Sequence, residues 1–171
     1  MSLWTVRQDL ELRAQANRSL LALPDMDNKF RRLLELGTDG IVADFTQEEE
    51  CVIERWKLIL EPRRKSCFKN CQTAVLVPNC PFRYVEGFVV NHWEMPLAVE
   101  HAWLTLHGKL IEFTLPKIAS SYFGIEIPAE IVEEFVFDGE EHGPLLDDIH
   151  TGWKYTAKVL QMEPPRVRFV N

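Results

Sequence analysis

Residues 67–114, CFKNCQTAVLVPNCPFRYVEGFVVNHWEMPLAVEHAWLTLHGKLIEFT, contain the change of pattern that decides the fold. Ser66 is a good N-cap for a helix that begins at Cys67 and ends near Pro78. From Phe82 the pattern has a period of two. The segments PFRYVEGFVV, VEHAWLTL and LIEFTL are rich in aromatic and β-branched residues, and LHGKL is a tight-turn signal. We therefore predict an α+β fold, in which an antiparallel sheet of about three to five strands packs on a central helix that carries Cys67.

The predicted hairpin has two different faces. An even-length turn at His107-Gly108 gives it one apolar face. That face carries Ala102, Leu104, Leu106, Ile111, Phe113 and Leu115. The other face carries His101, Trp103 and Thr105, opposite Glu112 and Thr114. We expect the first face to lie in the core and the second to collect the chemistry, with Glu112 close to directly opposite His101. A shift of register would put Thr114 opposite His101 instead.

The rest of the chain is predicted to form a scaffold around this stretch. The 171 residues suit one domain. We divide it into a helical amino-terminal layer (residues 1–60), a core (61–127) and a carboxy-terminal cover (128–171). Helical spacing covers residues 3–23 until Pro24, and Asp25 or Asp27 can cap a second helix that ends at Gly37.

Further elements are predicted on both sides of the core. Thr46 and Glu49 form a capping box for a helix to Leu60, which is expected to bury Val52, Trp56 and Ile59. Pro128 can open a short helix. Residues 145–160 could be helical, and RVRFV at 166–170 is a candidate edge strand.

Composition restricts the partners and the compartment. A net charge of -7 argues against unspecific binding to nucleic acid or to an anionic membrane, because phosphate contacts need clustered Lys and Arg. The only dense basic run is Arg63-Arg64-Lys65. No apolar run is long enough to span a bilayer, and the first residues have no signal-peptide pattern. Four cysteines fit a cytoplasmic protein with free thiols, although an even count leaves disulfides possible.

Cys67 is the candidate nucleophile. A thiol near a helix N-terminus lies at the positive end of the helix dipole, which favours the reactive thiolate. The alternative interpretation of Cys67 is a small buried apolar residue, which is the more common role of a helical cysteine. Cys71 lies one turn later on the same face and is the competing thiol. His101 is the best base among the five histidines, because Glu112 on the next strand can orient its ring. The other histidines, which have loop-like or turn-like surroundings, are His92, His107, His142 and His150.

Other chemistries fit the sequence less well. The cysteine spacings are C-x3-C and C-x8-C, a poor match to structural zinc sites. A phosphate-binding glycine loop and a G-x-S-x-G elbow are both absent. We therefore predict no metal and no cofactor.

The combined motifs resemble the transglutaminase-like branch of the papain-like cysteine enzymes. The matching pieces are Cys67 with its helix, RYVEGF at 83–88, HAW at 101–103 and EFT at 112–114. This resemblance covers about a third of the chain and leaves residues 1–60 uncovered. It implies that Cys67 is the nucleophile, His101 the general base and later acid, and Glu112 the orienting residue. The third position is Glu where the family has Asp, one methylene shorter.

The resemblance implies acyl chemistry at an amide: hydrolysis by a peptidase or amidase, or transfer to an amine. The substrate would be a protein or peptide-like amide. The alternative is a catalytically inactive module of this family that binds proteins. The tetrahedral oxyanion formed in such a reaction would be held by the Cys67 N–H and by a second donor. The candidates for the second donor are Lys65 and Asn70, ahead of Trp103. Trp103 and Tyr122 are the predicted substrate-binding residues, although Tyr122 could equally belong to an aromatic turn packed on the sheet.

Overall fold

A computed structural model describes residues 5–16, 24–91, 95–139 and 142–161. The helices are α1 (Val6–Ala16), α2 (Pro24–Leu36), α3 (Gln47–Leu60), α4 (Cys67–Leu76), α5 (Ala129–Gly139) and α6 (Lys154–Val159), with a 3₁₀ turn at Ile149–Thr151. The strands are β1 (Thr38–Asp39), β2 (Arg83–Asn91), β3 (Met95–Leu106), β4 (Lys109–Ile111) and β5 (Ser121–Ile127). They form one antiparallel sheet in the order β1-β5-β2-β3-β4, which confirms the predicted α+β class.

The β3–β4 hairpin has the turn that its sequence predicts. His107 and Gly108 have φ of 52° and 80°, the left-handed conformation that a two-residue hairpin turn of type I′ requires. Leu106 pairs with Lys109 and Leu104 with Ile111. The third strand predicted from LIEFTL, residues 110–115, is longer than the observed strand, because β4 ends at Ile111 and the chain turns away there.

Both faces of the sheet are buried. The predicted apolar face, with Ala102, Leu104 and Ile111, joins the main core under the helices. The opposite face also forms a core, smaller and separate, whose buried members are Val85, Val89, Trp103, Leu110, Ala119 and Tyr122. The predicted chemical face is therefore an interior surface, which explains why His101 is only 4% exposed.

This second core is enclosed because the sheet curls until its edges meet. β1 pairs with β5 at one edge, and one residue later the Gly40 N–H donates to the Tyr122 carbonyl. Ile41 then bridges Lys109 on β4, with the Leu110 N–H donating to the Ile41 carbonyl at 2.8 Å. The amino-terminal part of the chain thus supplies the strand that joins the two edges, as well as helices.

The two amino-terminal helices cover the main core. Val6, Leu10 and Ala14 of α1 are buried, as their spacing predicts. Residues 1–4 and 17–23 of the predicted helix lie outside the described residues. The second helix begins at Pro24, not after it, because proline is tolerated in the first helical turn, where its missing N–H has no intrahelical partner.

The helix α3 has the predicted bounds and the predicted capping box. The Glu49 N–H donates to Thr46 Oγ1, and the Thr46 N–H donates to Glu49 Oε2. The predicted burial is wrong at the carboxyl end of α3, because Ile59 is 54% exposed, whereas Ile53 is 6% exposed. Glu49 also bonds His107 and Lys109, so the first turn of α3 is fixed against the hairpin, whereas Leu58 and Ile59 in its last turn are exposed.

The carboxy-terminal part is less helical than predicted. The helix α5 follows Pro128 as expected and buries Val132 and Phe135. Within residues 145–160 the α-helix covers only Lys154–Val159, because the Asp148 carboxylate accepts the N–H groups of Tyr155 and Thr156 and so begins the helix there. The candidate strand RVRFV lies outside the described residues. Within the described ranges, no helix is both long enough and apolar enough to cross a bilayer.

Candidate active site

Cys67 is the first residue of α4, at the position that the sequence predicts. Ser66 occupies the N-cap position, but its side chain makes no capping hydrogen bond. The first N–H groups of a helix have no intrahelical partners, so they and the helix dipole create a positive potential at this end. Cys67 is half-buried at this end of the helix.

Asn70 holds the segment in front of Cys67 in place. Its Oδ1 accepts the Arg63 N–H at 3.0 Å, and its Nδ2 donates to the Arg63 carbonyl at 2.7 Å and to Thr114 Oγ1 at 3.0 Å. One buried amide therefore joins the loop before α4 to the chain that follows β4. Both of its N–H groups are used in these bonds, so Asn70 has none left for the predicted role of oxyanion donor.

His101 and Glu112 meet as the sequence predicts, although not by direct cross-strand pairing. His101 Nε2 lies 2.9 Å from Glu112 Oε2, and both side chains are about 95% buried, with exposures of 5% and 4%. Continuing the β3–β4 register would put Thr114 opposite His101 and Glu112 opposite Trp103. Because pairing ends at Ile111, Glu112 is free of the ladder and reaches His101 along the diagonal.

Glu112 is held by four hydrogen bonds. Its Oε1 accepts the N–H groups of Thr114 and Leu115 at 2.7 and 2.9 Å. Its Oε2 accepts the Tyr122 hydroxyl at 3.0 Å in addition to His101. Burial alone would raise the pKa of Glu112, but the bonds from His101 and from the two backbone N–H groups hold it below its usual range. The carboxylate is therefore charged and fixed.

The Cys67 thiol completes the group: it lies beside the His101 ring and interacts with it electrostatically. Since Nε2 donates to the charged Glu112, Nδ1 is the ring nitrogen left for the sulfur. Burial alone would lower the pKa of His101, but the hydrogen bonds to Cys67 and Glu112 outweigh it and raise that pKa from 6.5 to about 9. At neutral pH the ring therefore holds a proton, and the Cys67 sulfur lies beside it.

Trp103 and Tyr122, the predicted substrate-binding residues, are placed differently. They are 1% and 2% exposed, so neither offers a surface to a substrate. The Trp103 ring stacks beside His101 at 6.4 Å with an interplanar angle of 18°, and it contacts Tyr122 edge-on. Both side chains support the site from inside the curled sheet.

The hydrogen bond that Tyr122 donates to Glu112 is not predicted from the sequence. Its hydroxyl also accepts the Ala119 N–H, so residues 119–122 form a small turn around it. Nothing local indicates this contact, because Tyr122 and Glu112 come together only when β5 crosses to pair with β2. The aromatic cluster around His101 was the available signal.

Among the described residues, the other thiols and histidines lack this environment. Cys71 is 1% exposed, and burial raises the pKa of its thiol well above the usual value. Burial also raises the pKa of Cys80, whereas Cys51 is exposed on α3. His107 bonds Glu49 and His142 bonds Gln72, both away from Cys67. His150 is exposed, and His92 lies outside the described residues.

No group of three or more His, Cys, Asp or Glu side chains in the described part of the chain is arranged to hold a metal ion. The clustered functional groups are instead a thiol, an imidazole and a carboxylate in series. Comparison with known proteins finds no family model, no curated protein and no solved structure that matches the chain.

Proposed function

We propose that the protein carries out cysteine-nucleophile acyl chemistry at an amide of a protein or peptide-like substrate. Cys67 is the nucleophile, His101 the general base and later acid, and Glu112 the residue that orients His101. The observation that carries the proposal is the placement of the His101 ring, which bonds Glu112 at 2.9 Å and lies beside the Cys67 thiol. The motif resemblance to transglutaminase-like enzymes supports the same three roles.

In the first half-reaction, His101 holds the proton that the Cys67 thiol gives up, and the sulfur attacks the carbonyl carbon as a thiolate. The carbonyl π electrons move to oxygen to form the tetrahedral oxyanion. Collapse of this intermediate breaks the C–N bond, and His101 delivers its proton to the leaving amine. The enzyme is left as a thioester on Cys67.

In the second half-reaction, water or another amine attacks the thioester while His101 removes its proton. The new tetrahedral intermediate expels the Cys67 sulfur, which recovers a proton from His101. Water gives net hydrolysis, and an amine gives net acyl transfer. Both outcomes use the same three side chains.

The oxyanion would form at the amino end of α4. The Cys67 N–H lies there, and Ser66 leaves the helix end without a side-chain cap. Since Asn70 is committed elsewhere, Lys65, exposed and with φ of 60°, is the remaining side-chain candidate for the second donor.

Competitive alkylation by iodoacetamide at pH 7 tests the proposal. The reagent attacks thiolates, and an ordinary thiol with a pKa of about 8.5 is only about 3% ionised at this pH. We expect Cys67 to be labelled roughly tenfold faster than Cys51, although Cys51 is more exposed. His101→Ala should remove this advantage, and peptide mass spectrometry reads all four sites in one sample.

Equal labelling of Cys67 and Cys51, or an unchanged Cys67 rate in His101→Ala, would overturn the proposal. Alkylation reports only a reactive thiol, so acyl transfer needs its own measurement. An activated ester should acylate Cys67, and mass spectrometry should find the thioester and its loss with time. A reactive Cys67 that never forms a thioester would favour the protein-binding alternative.

A further inference from the structure

A groove lies between α3 and the end of the β3–β4 hairpin, next to the triad. Its volume is about 380 Å³, enough for one extended side chain. The apolar part of its wall is formed by Phe45, Ile53, Leu110, Ile111 and Ile118. We refer to this feature as the α3 groove.

The polar part of the α3 groove is mostly acidic. Glu50, Glu54 and Lys57 follow one another at helical spacing along the face of α3 that lines it. Lys57 bonds Glu54 at 2.6 Å, so this pair is largely neutral. The Glu50 side chain has no hydrogen-bond or ion-pair partner among the described residues. An unpaired carboxylate beside an apolar wall is complementary to a long side chain with a positive end.

The groove is close to the reacting sulfur. Glu112 lines it as well, and Glu112 bonds His101, whose ring lies beside the Cys67 thiol. Glu112 therefore belongs both to the groove wall and to the triad, so the groove adjoins the site. A lysine or arginine side chain next to the attacked amide can extend into an adjoining groove.

We propose that the α3 groove binds a basic side chain, lysine or arginine, of the peptide-like substrate that Cys67 attacks. The apolar wall covers the aliphatic stem, and Glu50 pairs with the charged end. The proposal rests on the proposed acyl chemistry for its purpose. The groove itself can be tested separately from it.

A series of reagents tests the charge preference at Cys67. The N-pentyl derivative of iodoacetamide is compared with two analogues whose chains end in an ammonium or a carboxylate group. We expect the ammonium reagent to label Cys67 about twofold to fivefold faster than the neutral one, the range of one exposed ion pair, and the carboxylate reagent to be slowest. Glu50→Gln should abolish the difference, whereas Glu48→Gln, exposed two residues earlier and outside the groove, should preserve it.

Equal rates for the three chains, a faster neutral chain, or the same order in Glu50→Gln would overturn the groove proposal. Slow labelling of Cys67 by iodoacetamide itself would instead count against the acyl chemistry. In that case methyl NMR decides the groove alone. N-acetyl-lysine amide should shift the methyl signals of Ile53 and Ile118 more than N-acetyl-norleucine amide does, and equal shifts would overturn the assignment.

Discussion

Glu112 contacts His101 diagonally across the end of the hairpin, with 2.9 Å between Oε2 and Nε2, at a point where β4 has already ended. A glutamate that stayed in the strand would lie opposite Trp103. The length of the glutamate side chain and the early end of β4 together allow this contact. The methylene by which Glu exceeds Asp supplies the reach that the diagonal requires.

The pair predicts how His101 titrates. Its pKa of about 9 exceeds the ordinary 6.5, so the bonds to the protonated ring stabilise the fold fully below pH 6.5, and this stability is lost as the pH rises through 9. Glu112→Gln should move the midpoint of the His101 ring signals in NMR toward 6.5, because the neutral amide no longer stabilises the imidazolium. The exposed Glu126→Gln is the control, and an unchanged midpoint in Glu112→Gln would contradict the assigned pair.

Tyr122 should act as a positioning residue through Glu112. Tyr122→Phe removes the bond to Glu112 Oε2 and leaves the Ala119 N–H without its acceptor. We expect a loss of about 1–3 kcal/mol in the free energy of unfolding. Labelling of Cys67 by iodoacetamide should slow roughly threefold to tenfold, equivalent to about 1 kcal/mol of lost orientation.

Tyr84→Phe is the matched control for this effect. The Tyr84 hydroxyl is equally buried and donates to Glu86 at 2.7 Å, on the opposite face of the sheet. Its loss should destabilise the fold by a similar amount in urea unfolding without slowing Cys67. If both variants slow Cys67 alike, the Tyr122 effect is a general consequence of destabilisation.

Glu86 should make stability depend on pH near neutrality. Burial raises its pKa from 4.5 to about 7, against the lowering effect of hydrogen bonds from the Leu146 N–H, Tyr84 and the Leu145 N–H. The folded state therefore binds the proton more tightly than the unfolded chain, so stability should fall as the pH rises from 4.5 to 7, by a total on the order of 3 kcal/mol. Glu86→Gln cannot ionise and should lose this part of the slope.

Urea unfolding at pH 5, 6, 7 and 8 measures the difference between Glu86→Gln and the parent protein. Subtraction removes the contributions of all other titrating groups. Parallel stability curves for the two proteins would show that Glu86 does not titrate in this range.

Gly124 should be intolerant of any side chain. A Cβ there would lie 2.5 Å from the Glu86 carbonyl oxygen and 2.6 Å from Cη2 of Trp103. Gly124→Ala should cost about 1–3 kcal/mol through overpacking and displace the Trp103 ring, which near-ultraviolet circular dichroism would detect. In Gly139→Ala, at the end of α5, the new Cβ meets nothing within 4 Å, and we expect a change below about 1 kcal/mol. Equal stability of the two variants would contradict the described packing at Gly124.

Local patterns determined much of the fold and the identities of the site residues. The capping box at Thr46 and Glu49 predicts the start of α3, and Ser66 predicts the start of α4 at Cys67. The turn at His107-Gly108 predicts which residues share a face with His101. Each of these features depends on residues within a few positions of one another, where backbone geometry leaves few alternatives.

Long-range contacts decided the rest. The sequence does not show that β4 ends at Ile111, that Ile41 joins the two edges of the sheet, or that Tyr122 bonds Glu112. These contacts join segments that are far apart in the chain or depend on where the sheet curls, and several packings satisfy the same local patterns. The sequence by itself determined a helix start at Cys67 and a hairpin that brings His101 and Glu112 to one face. Only the tertiary structure decided that this face is buried, because closure of the sheet encloses it and leaves the His101 ring between Glu112 and Cys67.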